Sequence, residues 1–277
     1  MLLPKGYAVT PSQIFLFSFV TQAPFQIFIL NAVFWLIYRY EFKVIEQYKI
    51  DPQKAWPWVS DPEGWRIEAY QALKSVLFNM TFVNFVFATV VLYFYDWDLP
   101  WNNRPEDVPT GLEMAKQLLF LIICDDMTFH FMHRLMHCKH KNFPMYQMFH
   151  KLHHKFVYTT SIASLHAHPV EHFFVNNLSW MTGIILLGPR MHTWTGLVWS
   201  YLRMIESHEA HCGYEFPWSI FRVLPFGSDA SYHSFHHTVN VGNYSTWFTV
   251  WDTIFDSNVD YYQVYGGKSG EKTENLN

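Results

Sequence analysis

Charged residues are missing from two long stretches in the first hundred positions. None falls between Gly6 and Tyr38, and Ile14 to Tyr38 (IFLFSFVTQAPFQIFILNAVFWLIY) is long enough to cross a bilayer, which takes about 20 residues. It lacks a basic start and a small-residue cleavage site, so the expectation is a retained span rather than a signal peptide. Pro24 inside it predicts a kink, which membrane helices tolerate. A second uncharged run, Ser75 to Tyr95, has the length of a second span. Gln117 to Cys124 (QLLFLIIC) is shorter and runs into Asp125 and Asp126. It reads as part of a helix from about Glu113 to His137 whose far half leaves the lipid. A fourth apolar region, Phe173 to Leu202, is broken by Gly188-Pro189-Arg190; this predicts a hairpin of two shorter helices and leaves a re-entrant element open.

Basic residues orient these spans. The segment 39–74 carries Arg39, Lys43, Lys49, Lys54, Arg66 and Lys74, whereas 96–113 carries only Arg104. Further lysines follow the third helix, so the positive-inside rule places both the 39–74 loop and the region beyond the third helix on the cytoplasmic side. Composition agrees with a membrane protein: of 277 residues 50% are hydrophobic and 15% charged, below the roughly 25% of soluble domains. A net charge of −4 excludes a basic nucleic-acid binder. Three scattered cysteines, Cys124, Cys138 and Cys212, make no disulfide framework and point to a reducing compartment. The expected fold is all-α: an integral membrane bundle of about four spans or hairpins, capped by a cytoplasmic histidine-rich helical region holding two metals. Its parts are membrane spans and a loop (1–112), a catalytic region (113–260) and a polar tail (261–277).

The chemistry is in the histidines. All 16 lie between His130 and His237. His133 and His137 stand in H-R-L-M-H, His150, His153 and His154 in H-K-L-H-H, and His233, His236 and His237 in H-S-F-H-H. On a helix, positions i, i+3 and i+4 share a face, so each group can aim its imidazoles at one point. Neutral imidazole suits Fe, Zn, Cu and Ni. Eight such rings exceed the four ligands of a structural zinc site and suffice for two adjacent metals. His168, in A-H-P-V-E, and His211, in H-C-G-Y-E-F-P-W, are further candidates, and His208 lies three residues before His211. His130 shares the stripe of His133 and His137 but sits nearer the lipid, where packing is the expectation. His140, His166, His172 and His192 have no supporting pattern. Ligating imidazoles usually donate their second N–H to a carboxylate. Asp126, two helical turns before His133, is the first candidate for that role; Glu206 and Asp229 are others.

From about Cys124 to Phe255 these motifs, with A-H-P and G-N-Y-S-T-W-F-T-V-W-D-T-I-F, resemble the fatty acid hydroxylase superfamily of membrane-bound di-iron oxygenases, and within it most the C4-methylsterol oxidases. The resemblance implies ten metal-ligating histidines: His133, His137, His150, His153, His154, His168, His211, His233, His236 and His237. It also implies two irons (zinc being a substitute), dioxygen, and a sterol or other lipid reached from the membrane. Electrons would come from cytochrome b5 and an NAD(P)H-dependent reductase as separate proteins, since the chain shows no haem module or nucleotide fingerprint. Residence in the endoplasmic reticulum membrane, with a cytoplasmic active site, is implied too. The chain departs from the sterol oxidases at Ser164-Leu165-His166, where a Glu-Tyr pair is common, and at the extra histidine of Glu171-His172. The alternatives are another lipid hydroxylase or a sterol desaturase, a membrane metal transporter, and a zinc hydrolase. The last would need a helical H-E-x-x-H, and His208-Glu209-Ala210-His211 is one residue short.

Overall fold

Thr10 opens the first long helix, α1 (Pro11–Tyr40): its hydroxyl accepts from the Gln13 amide while the Gln13 side chain accepts from its own. The structure, a computed structural model, describes residues 9–265. Pro24, which has no N–H to give the helix ladder, lies inside α1, and Phe25–Leu30 directly after it wind as a π-helix. The second long helix, α2 (Pro62–Phe94), starts on the Asp61 carboxylate and carries its own π-turn at Asn79–Val83. Both are long and apolar enough to cross a membrane. Their outward faces stay apolar: Val20 and Phe28 on α1 are 72% and 73% exposed, in a chain whose polar residues could have filled those positions.

Four further helices complete the frame. A Thr110–Glu113 capping box starts α3 (Gly111–Met136), close to the expected bounds. The expected hairpin is present as α4 (169–187) and α5 (Thr193–Ala210), with Gly188–Arg190 as the turn between them. Asp229 caps α6 (Ala230–Val239), which ends on left-handed Asn240. Among the described residues there is no β-strand, and four isolated bridges tie loops together. Residues Val259–Tyr265 form a short helix whose Tyr261 packs on Tyr232. The rest of the expected tail, from 266, lies outside the described residues.

The core joins α1, α2, α4 and α5 through Phe15, Phe19, Phe87, Trp180, Met181 and Trp199. Phe19 meets Trp180 edge to face at 5.6 Å. Helices α3 and α4 pack most closely at Gly183, where a Cβ would stand 2.9 Å from Leu121 Cδ2 and 3.1 Å from Leu121 Cα. That crossing brings the C-terminal end of α3 beside the start of α4; the histidines lie at the end of α3, in the loop after it, just after α5 and on α6.

Candidate metal centre

Nine histidines converge into two buried clusters. His133, His137, His150, His154 and His236 form the first, and His153, His211, His233 and His237 the second; within each, the candidate ligand atoms lie within 4.8 Å of one another. The clusters adjoin, with the His154 and His237 ring centroids 4.7 Å apart. Neither H-x-x-H-H trio points at a single spot. In each, the first and last histidines serve one cluster and the middle one serves the other: His150 and His154 against His153, His233 and His237 against His236. The helix geometry of α6 explains this. A residue three ahead lies about 60° to one side of the first, and a residue four ahead about 40° to the other. One short helix can therefore reach two centres, and the trios stitch the clusters together.

Proton accounting tests whether these rings fit metal ions. A neutral imidazole has one N–H. His133, His153, His211 and His236 direct Nδ1 at the backbone oxygens of Tyr244 (2.9 Å), His166 (3.3 Å), Ser207 (2.7 Å) and Gly242 (2.5 Å). His150 Nδ1 lies 2.9 Å from Glu171 Oε1. Nε2 of the first four is then a lone pair, and a single proton on His150 Nε2 could serve only one of its three Nε2 neighbours, His133, His137 and His154. Yet His133 Nε2 is 3.1 Å from His150 Nε2, and His211 Nε2 is 3.4 Å from His153 Nε2. Lone pairs so close repel unless a cation lies between them, so the donor set fits one cation in each cluster. Burial, reinforced by neighbouring imidazoles, holds all six rings of the two trios below the ordinary 6.5, His236 at about 4. They are neutral at physiological pH, the state in which imidazole can bind a metal.

Residues Tyr244–Phe248 fix the first cluster from behind. Asp252 accepts the amides of Tyr244 and Ser245, and Asp126 Oδ1 accepts those of Thr246, Trp247 and Phe248 at 3.1, 2.8 and 3.3 Å. Five successive N–H groups thus end on two carboxylates, and the Tyr244 carbonyl is left aimed at His133. This corrects the expected role of Asp126. It lies on the same side of α3 as His133, but its oxygen meets backbone amides and touches no imidazole. Asp229 likewise caps α6, and Glu206 pairs with Arg203 and accepts from Thr246 Oγ1. The carboxylate that does face a cluster imidazole is Glu171, which no spacing argument singled out.

His168 is the second correction. It stands outside both clusters because it is the N-cap of α4: Nδ1 accepts from the Val170 amide at 3.2 Å and the ring leans on Phe149. Pro169 behind it fixes that cap geometry. His130 is buried against Ser245 and Phe255, in keeping with packing. His208 is also buried, and bridges the Met204 carbonyl on α5 to Asn31 on α1. The three cysteines are free and lie outside the clusters. Between the clusters a cavity opens, lined by rings of both and by Phe129, Val175, Arg203 and Thr246.

Comparison with known proteins places this arrangement. Residues 118–257, which hold every clustered histidine, match the fatty acid hydroxylase family. The chain belongs to that family. Among its relatives, methylsterol monooxygenase 2-2 of Arabidopsis thaliana is 36% identical over 160 residues, 57% of this chain and 58% of the relative. Very-long-chain aldehyde decarbonylase GL1-8 of Oryza sativa subsp. indica is 35% identical over 172 residues, 61% and 62% of the two chains. Methylsterol monooxygenase 1 of Rattus norvegicus is 32% identical over 208 residues, 74% and 68%. The match thus spans less than two thirds of the length of the two plant relatives. No solved structure matches the chain.

Proposed function

We propose that this fatty acid hydroxylase family member is a membrane di-iron monooxygenase that oxidises the C4-methyl group of sterols. The observation that carries the reading is the convergence of nine imidazoles into adjoining clusters of five and four, all buried and neutral. His133, His137, His150, His154 and His236 would hold one iron; His153, His211, His233 and His237 the other. Iron bound there would supply the reduction of dioxygen to an oxidant able to attack an unactivated C–H bond. The overall balance is R–CH3 + O2 + 2e⁻ + 2H⁺ → R–CH2OH + H2O, with further rounds taking the alcohol to aldehyde and carboxylate.

The chain's own residues do the rest. Backbone carbonyls keep His133, His153, His211 and His236 in the tautomer that leaves Nε2 free, and Glu171 stands beside His150 Nδ1. Phe129 and Val175 give the cavity an apolar wall beside the clustered rings. Helices α1 and α2 would embed the protein in the endoplasmic reticulum membrane, with the histidine region on the cytoplasmic side. Cytochrome b5 and an NAD(P)H-dependent reductase would bring the electrons. The metal transporter fits less well, because the clusters sit at helix ends and in loops, whereas a transporter places its ligands mid-span.

Membranes containing the protein, given 4-methylsterols, NADPH and dioxygen, should yield C4-oxidised sterol. Absence of that product with retained iron would remove the sterol reading. The aldehyde decarbonylase relative favours a second substrate, a long-chain aldehyde, and its consumption in the same assay would replace the first.

A further inference from the structure

The cavity between the clusters does not end there. A second, narrow cavity runs on between α1, α2, α4 and α5, walled by Phe19, Met80, Trp180 and Met204. Asn176, Arg203 and Ser207 line both cavities, so they form the junction between them. Beyond this collar the wall is mixed, with Gln22, Gln26 and Ser200 among the apolar side chains, and the clustered rings lie on its other side.

The collar's polar atoms are set by hydrogen bonds outside it. Asn84 Oδ1 accepts from Asn177 Nδ2 and from His172 Nε2, both at 3.0 Å, so His172 carries its proton on Nε2. Its Nδ1 is then an acceptor, and Asn176 Nδ2 donates to it at 3.2 Å. That turns the other end of the Asn176 amide, Oδ1, away from His172, and among the described residues no donor reaches it. Arg203 is fixed by Asp125 Oδ2 at 2.9 Å and by Glu206. The Ser207 hydroxyl has no protein partner among the described residues, since His211 takes only its backbone oxygen. The junction therefore presents one fixed acceptor, one hydroxyl and the rim of a guanidinium to whatever passes through it.

We infer that Asn176, Ser207 and Arg203 form a specificity collar that binds a substrate hydroxyl on the ring carbon next to the one that carries the methyl group being oxidised. Asn176 Oδ1 accepts a hydrogen bond from that hydroxyl, while Ser207 or Arg203 donates to its oxygen. The collar adjoins the metal-side cavity, so the group it grips is a near neighbour of the reacting carbon, not a distant tail. The inference rests on the sterol reading, in which C3 bears the hydroxyl and C4 the methyl. A long-chain aldehyde has no such neighbouring hydroxyl and would leave the Asn176 acceptor unpaired.

The test uses detergent-purified protein, a 4,4-dimethylsterol with its 3-hydroxyl, and the 3-deoxy analogue, measuring both binding and turnover. Wild type should favour the hydroxylated sterol in kcat/KM by on the order of 100-fold, because without the hydroxyl the collar stays unpaired. Asn176→Ala should cut that preference to within about tenfold. Ser207→Ala, which disturbs no hydrogen bond that holds the fold, should narrow it too and guards against a folding defect in the first variant. Equal preference in wild type, or variants that weaken both sterols alike, would overturn the collar while leaving the reaction intact. A wild type that binds the hydroxylated sterol better but oxidises neither would sink the reaction reading and leave the collar standing.

Discussion

Asp126→Ala removes the one acceptor shared by the amides of Thr246, Trp247 and Phe248. A buried donor left unpaired costs about 1–3 kcal/mol. The Phe248 bond is the longest, at 3.3 Å, and its residue is only partly buried, so water can replace part of it. The expected loss is about 3–5 kcal/mol. Asp126→Asn behaves differently, because Oδ2 has no partner and an NH2 group can stand there while Oδ1 keeps its three donors. Burial already raises Asp126 to about 8, so at pH 7 little charge is lost and this variant should stay within about 1 kcal/mol of wild type. Urea unfolding in detergent measures both variants. The same loop aims Tyr244 at His133, so Asp126→Ala should also lose metal from the first cluster before the second. The reasoning fails if Asp126→Ala unfolds within 1 kcal/mol of wild type. It fails equally if Asp126→Asn is as damaging as Asp126→Ala, since that would place the negative charge, rather than the amide bonds, in control.

Glu171→Ala should weaken metal binding by about 10–100-fold, since it frees the His150 ring; metal titration of stripped protein reads this directly. His168→Ala should keep the full metal content and lose only the helix cap, about 1 kcal/mol by thermal unfolding. Metal-stripped protein should lose stability as pH falls below 6.5: His236 titrates near 4 when folded and near 6.5 when unfolded, so the unfolded chain takes up the extra proton between those values. A melting temperature flat from pH 7.5 to 5 would contradict that.

Much of this was legible in the residues because helical spacing is local. The bounds of α3 and the break at Gly188-Pro189-Arg190 follow from caps, apolar runs and turn residues that act over a few positions. The histidine groups were equally plain. Their division into five and four was not, because it depends on where α6 and the 146–155 loop lie relative to α3. Asp126 shows the limit most clearly. Spacing puts it on the His133 side of α3, but only the folded chain brings residues 246–248 against it, 120 to 122 positions away. Glu171 reaches His150 from another element for the same reason. His168 looked like the other candidates, yet the proline after it made it a cap.

The most direct test is the metal count of anaerobically purified protein, taken with one variant from each cluster. Wild type should hold about two irons per chain, and His137→Ala and His233→Ala about one each, with the surviving ion in the untouched cluster. A wild type holding one ion or none, or full turnover on zinc alone, would contradict the two-cluster iron centre.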